Sequence, residues 1–107
     1  MIIYNVTSNI DESIHAEWLL WIKEHILQVL ETGKFEKATL TKVLVEEEMG
    51  GVTYSVQYKA FSREALDAFY KNDSPAFRKE ISEKFGDKML AFRTELEILE
   101  EYSVTIN

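Results

Sequence analysis

The sequence predicts an α+β domain whose elements run βαββαβ, and three observations carry that expectation. Apolar residues alternate in stretches near both ends of the chain, a long amphipathic helix follows the first stretch, and a Gly-Gly turn divides two Thr- and Val-rich runs in the middle. At 107 residues, a single domain covering 1–107 is expected, because chains of this size rarely build two cores.

The first strand is read from Ile2 to Ile10. Ile2, Tyr4, Val6 and Ile10 fall on one side, with Ile3, Asn5, Thr7 and Asn9 on the other. Asp11 or Ser13 can cap a helix that runs to about Thr32, where Gly33 supplies a left-handed stop. At about 100° per residue, Ile14, Trp18, Ile22, Ile26 and Val29 share one arc and Glu17, Glu24, Gln28 and Glu31 lie away from it.

Residues Phe35 to Glu46 and Val52 to Phe61 then form a hairpin around Glu46-Glu47-Glu48-Met49-Gly50-Gly51. A helix from about Arg63 to Lys71 is interrupted at Asn72-Asp73. It restarts at Ser74-Pro75, read as an N-cap and a first-turn proline. The second helix is therefore expected in two pieces, with Phe77, Ile81 and Phe85 inward and Gly86 closing it. Met89 to about Glu100 gives the fourth strand. Right-handed crossovers leave few topologies for this order, and the simplest is the ferredoxin-like fold, a four-stranded antiparallel sheet with two helices on one face.

Nineteen acidic against twelve basic residues give a net charge of −7. That charge repels phosphate backbones and anionic lipid unless a basic patch overrides it, and the sequence contains none. Neither nucleic acid nor membrane is an expected partner. No window approaches the roughly 20 apolar residues that span a bilayer, and no leader is expected. With no cysteine for disulfides or thiolate ligands, a cytoplasmic setting fits.

Sorting the strands by parity assigns Tyr4, Val6, Val52, Tyr54, Val56, Tyr58, Phe92, Leu96 and Ile98 to the helix-covered face. The open face then holds Asn5, Thr7, Thr53, Ser55, Gln57, Lys59, Arg93, Glu95 and Glu97, with Arg93 and Glu95 close enough to pair. Stacking aromatics are missing from the outward positions of the two central strands, which argues again against a nucleic-acid platform. Such a face is either solvated or joined to a second copy around a wet or ligand-filled centre. A dry one would leave unpaired polar groups at a cost of about 1 to 3 kcal/mol each.

Candidate chemistry centres on the first helix. His15 and His25 lie within or beside its apolar arc, next to Trp18 and Trp21. Ten residues of helix separate the two imidazoles by about 15 Å, so they cannot share a metal ion within one chain; no metal site and no cofactor are expected. His25 near Trp18 can be read as lining a cavity between helix and sheet, as a general base or cofactor ligand. A core histidine bonded to a backbone carbonyl is the favoured alternative. The run Glu46 to Glu48 has no calcium-site spacing, and Gly50-Gly51 has no nucleotide-binding pattern. Ala16, Leu20 and Leu27 form a second apolar stripe on the far side of the helix, which favours assembly.

Taken together, Ile3-Tyr4-Asn5-Val6-Thr7, Trp18-Leu19-Leu20-Trp21-Ile22, His25-Ile26, Gly33, Phe35 and Phe92-Arg93-Thr94 resemble an uncharacterised bacterial family known only as a domain of unknown function. The resemblance implies a dimeric α/β barrel and no activity. More distantly, the Trp and His-Ile pattern is similar to barrels of the ethyl-tert-butyl-ether-degradation and antibiotic-biosynthesis-monooxygenase types, with Leu27 where a proline would stand. Relatives that degrade haem carry an Asn, Trp and His trio. Asn5 matches it, but Trp18 and His25 stand on the first helix instead of the second, so no haem is carried over.

The expected function is thus a homodimer that binds a small molecule, either between sheet and helices or in the barrel, with His25, Trp18, Asn5 and Arg93 as candidate site residues. A non-catalytic oligomerisation or regulatory partner-binding module is the alternative.

Overall fold

A computed structural model describes residues 1–45, 48 and 50–105. Its elements are β1 (Ile2–Ile10), α1 (His15–Glu31), β2 (Phe35–Lys42), β3 (Val52–Ala60), α2 (Arg63–Asn72), α3 (Ser74–Phe85) and β4 (Met89–Glu97), with short 3-10 turns at Glu12–Ile14 and Gly86–Lys88. The strands form one antiparallel sheet in the order β2-β3-β1-β4, and the helices lie on one face. β2 and β3 pair as a hairpin, while β1 lies between β3 and β4, both distant from it in sequence, as the βαββαβ order requires.

Local chemistry sets the boundaries. The Asp11 carboxylate accepts hydrogen bonds from the Ser13 backbone N–H at 2.9 Å and hydroxyl at 2.6 Å, which starts the turn into α1. Those bonds hold the Asp11 pKa below its ordinary value. Thr32 ends α1, and Gly33, at φ 77°, reverses the chain into β2. The second helix is split as expected, but Ser74 does not cap the second piece. Asp73 occupies the cap position and Pro75 sits in the first turn, where its missing N–H costs nothing. Ser62 caps α2 by accepting from the Ala65 N–H at 3.0 Å. The acidic run at Glu46 and Glu47, together with Met49, lies outside the described residues, and β2 ends earlier than Glu46.

The core forms between sheet and helices around Tyr4, Ile10, Trp18, Ile22, Phe35, Val56, Tyr58, Leu66 and Phe69. Aromatic edges meet faces there, as for Phe35 and Phe69 at 4.9 Å and 76°. Trp18 is 1% exposed and lies 5.0 Å from the Tyr54 ring.

One expectation is reversed. On β4, Val6 pairs with Arg93 and Tyr4 with Glu95, while Thr7 pairs with Phe92 and Ile3 with Leu96. Arg93, Glu95 and Glu97 therefore share the helix side with Tyr4 and Val6. Leu90, Phe92 and Leu96 lie on the open face with Asn5 and Thr7. The register is anchored where Met89, buried, pairs with Ile10, and a one-residue slip would expel that methionine from the core. Because β4 is the sheet's edge, long polar side chains on its helix side reach solvent around the rim of α2 and α3. The open face is consequently less polar than its two central strands suggest.

Candidate functional site

The helix-covered side contains a partly enclosed slot between α1, α3 and the sheet. Its volume is about 40 Å³, room for roughly three waters. His25 and Trp21 reach it from α1, Ser74, Phe77 and Arg78 from α3, and Ser8 and Arg93 from the sheet. The local fold explains these positions. His25 lies one turn beyond Ile22 and one turn before Val29 on the buried arc of α1. Arg93 enters because of the β4 register described above.

His25 is 9% exposed. Its ring stacks on Trp21 at 4.5 Å and meets the edge of Phe77 at 5.0 Å. The carbonyl bond expected of a core histidine is not made, and Nδ1 is buried without a hydrogen-bond partner among the described residues. Burial pushes the His25 pKa down to about 4, Arg93 adds to the effect, and Glu80 opposes it. The imidazole is neutral at pH 7, and so weak a base accepts few protons from a substrate there.

The Arg93 Nε–H donates to the Tyr4 hydroxyl at 3.1 Å. Its expected pair with Glu95 does not form. Glu95 instead accepts two hydrogen bonds from Arg63, at 2.7 and 3.0 Å, and one from the Tyr70 hydroxyl at 2.5 Å. Those bonds hold the Glu95 pKa near 2, and burial together with that carboxylate raises the Tyr70 pKa. Arg78, like Arg93, makes no ion pair among the described residues. Tyr58, another residue of the slot wall, has its phenol pKa raised by burial.

The slot thus brings together two of the four candidate residues, His25 and Arg93. Trp18 packs into the core beside Tyr54, outside the slot lining, and its indole N–H has no partner among the described residues. Asn5 lies on the opposite face, where its Oδ1 accepts from the Ser55 hydroxyl at 2.6 Å and its Nδ2 donates to Thr7 at 3.3 Å. His15 bonds the Tyr54 hydroxyl through Nε2 at 2.7 Å, a structural contact at the edge of the core. Sequence reasoning passed over Arg78. It lies one residue after Phe77 on α3, and only the packing of that helix shows that it reaches the slot. Among the described residues no group of three or more His, Asp and Glu side chains is arranged to hold a metal, and no helix is long and apolar enough to cross a membrane.

The open face is ordered by its own hydrogen bonds, the Ser55–Asn5–Thr7 chain on the central strands and Asn9 Nδ2 donating to Thr53 at 3.1 Å. Beside these satisfied groups Phe92 is 70% exposed, Leu90 51% and Leu96 46%.

This geometry defines a ferredoxin-like α+β protein, and solved structures share it. Two dimeric ferredoxin-like proteins from uncultured marine organisms are similar at TM-scores of 0.60 and 0.66, with 10% and 12% identity. The first alignment covers 94% of this chain and 97% of the other, and the second covers 96% and 98%. A Deinococcus radiodurans protein provisionally named an antibiotic biosynthesis monooxygenase is similar at 0.62 and 13% identity, over 98% of this chain and 99% of its own. These likenesses establish the fold. The chain belongs to the DUF4286 family, a domain of unknown function, whose profile matches residues 1–99. No curated protein matches it significantly.

Proposed function

We propose that this chain is a homodimeric ligand-binding module. Two copies pair through the helix-free sheet face, and each keeps its helix–sheet slot for a small molecule. The observation that carries the reading is the row of Leu90, Phe92 and Leu96 beside hydrogen-bonded Asn5, Ser55 and Thr7. Burying each of these apolar side chains further contributes on the order of 1 to 2 kcal/mol. Asn5, Ser55 and Thr7 already bond one another, which lowers the cost of covering them. The dimeric ferredoxin-like neighbours support the same reading. Net acidic charge and the lack of aromatics at the open-face positions of β1 and β3 favour a protein over a nucleic acid as the occupant of this face. Residues 1–107 act in it as one folding unit.

Light scattering on purified protein tests the pairing. The wild type is expected at twice the chain mass, and Phe92→Glu with Leu96→Glu at the single mass with an unchanged circular dichroism spectrum. A wild-type single chain would sink the dimer.

A second reading, a non-catalytic partner-binding module, is favoured by Leu20 and Leu27, which are 74% and 60% exposed on the outer side of α1 as the sequence led us to expect. If Leu20→Lys with Leu27→Lys changes the assembly while the Phe92 variant does not, the interface belongs to α1.

A further inference from the structure

We propose that the helix–sheet slot, with room for only a few heavy atoms, receives a short-chain carboxylate of two or three carbons, held by the guanidinium groups of Arg78 and Arg93, with its alkyl end toward Trp21, Phe77 and Met89. The inference rests on the reading of the slot as a small-molecule site and names the class of molecule.

The chain has three arginines in a net charge of −7, so acidic partners are plentiful. Arg63 takes two of them, Asp67 at 2.8 Å and Glu95 at 2.7 Å. Arg78 and Arg93 pair with none among the described residues, and both line the same slot. Glu95 is bonded by Arg63 and Tyr70, and Glu80 accepts from the Trp21 indole N–H at 3.1 Å, so neither forms an ion pair with Arg78 or Arg93. Two unpaired guanidiniums at one cavity are suited to a planar anion, because their forked donors match a carboxylate in two-point contact.

Polar groups inside the slot support the same class. Ser8 is 3% exposed, lines the slot, and its hydroxyl makes no hydrogen bond among the described residues. His25 adds a ring to the slot wall, stacked on Trp21. The Ser8 hydroxyl, with no hydrogen bond among the described residues, is free to donate to an oxygen of an occupant of the slot. The remaining walls are aromatic and aliphatic. A phosphate dianion would set additional charged oxygens against them, whereas an organic acid offers one charged end and an apolar remainder.

The test uses the full chain. Tryptophan fluorescence and calorimetry are followed during titration with acetate and propionate, the uncharged acetamide and propionamide, and inorganic phosphate. Saturable binding of the acids is expected, with binding about tenfold or more weaker for the amides and for Arg93→Gln and Arg78→Gln. The two variants should melt within a few degrees of wild type, which separates lost binding from lost folding. Equal binding of acids and amides, or full affinity in both variants, would overturn the carboxylate class and leave the slot as a neutral-ligand site. Phosphate binding as tightly as the acids would overturn the organic-acid assignment. If no compound binds, the slot reading fails together with this inference, while the light-scattering result stands on its own.

Discussion

Arg63 and Glu95 meet through two hydrogen bonds, at 2.7 and 3.0 Å, that tie the first turn of α2 to the edge strand β4. Arg93 lies two residues earlier on the same side of the strand and forms no ion pair among the described residues, so the Glu95 carboxylate serves α2 and not the slot.

Glu95→Gln should therefore lower the melting temperature by a few degrees at pH 7. The carboxyl pKa is depressed to about 2, chiefly by Arg63 and then by Tyr70, so its stabilising effect is present above the unfolded pKa and is lost as pH falls through the folded one. Melting curves at intervals from pH 7 to pH 2 should show the gap between wild type and variant closing below about pH 4.5. A constant gap would mean that the charge of Glu95 is not what stabilises the contact.

His25 titrates with the opposite charge and the same direction in pH. Its folded pKa near 4 lies below the unfolded 6.5, so the unfolded state takes up more protons between these values. Stability is complete above pH 6.5 and falls as the solution is acidified, by about 3 kcal/mol over the full window. Urea midpoints between pH 6.5 and 5 should decline for the wild type and less steeply for His25→Leu. Parallel slopes would contradict a neutral, buried imidazole.

Trp18 is among the largest fully buried side chains, at 1% exposure. Trp18→Ala should cost about 3 to 5 kcal/mol, the range for truncating a buried aromatic, read as a fall in the denaturant midpoint. A loss under about 1 kcal/mol would show that the site collapses around the missing indole.

Gly33 and Gly51 both have φ 77°, yet only Gly51 is crowded. A Cβ there would lie 2.7 Å from the Ile10 carbonyl oxygen and 2.9 Å from Asn9 Oδ1, whereas one at Gly33 meets nothing within 4 Å. Gly33→Ala should cost about 1 kcal/mol from backbone strain. Gly51→Ala should cost clearly more, since β1 must shift as well. Equal losses in thermal unfolding would contradict the close approach.

The order of elements, the split second helix and the buried arc of α1 were legible in the sequence because each rests on local periodicity or capping. His25 was legible for the same reason, since its place on the arc fixes its direction. Arg93 was misplaced because hydropathy assigns Leu90, Phe92 and Leu96 to the core on the assumption that β4 buries its more apolar side. The register set by Met89 against Ile10 decides otherwise. The pair of Arg63 with Glu95 spans 32 positions, and the approach of Arg78 to the slot depends on how α3 leans. Neither leaves a trace in local spacing.

The interruption at Asp73 separates two jobs along what would otherwise be one rod. α2 is fastened to the sheet through Arg63 and Leu66, and the Lys34–Asp73 ion pair, at 3.3 Å, pins the break to the start of β2. α3, beyond the break, supplies Ser74, Phe77, Arg78 and Ile81 to the slot wall. Substitutions in α3 can thus reshape that wall without touching the contacts that fasten α2 to the sheet.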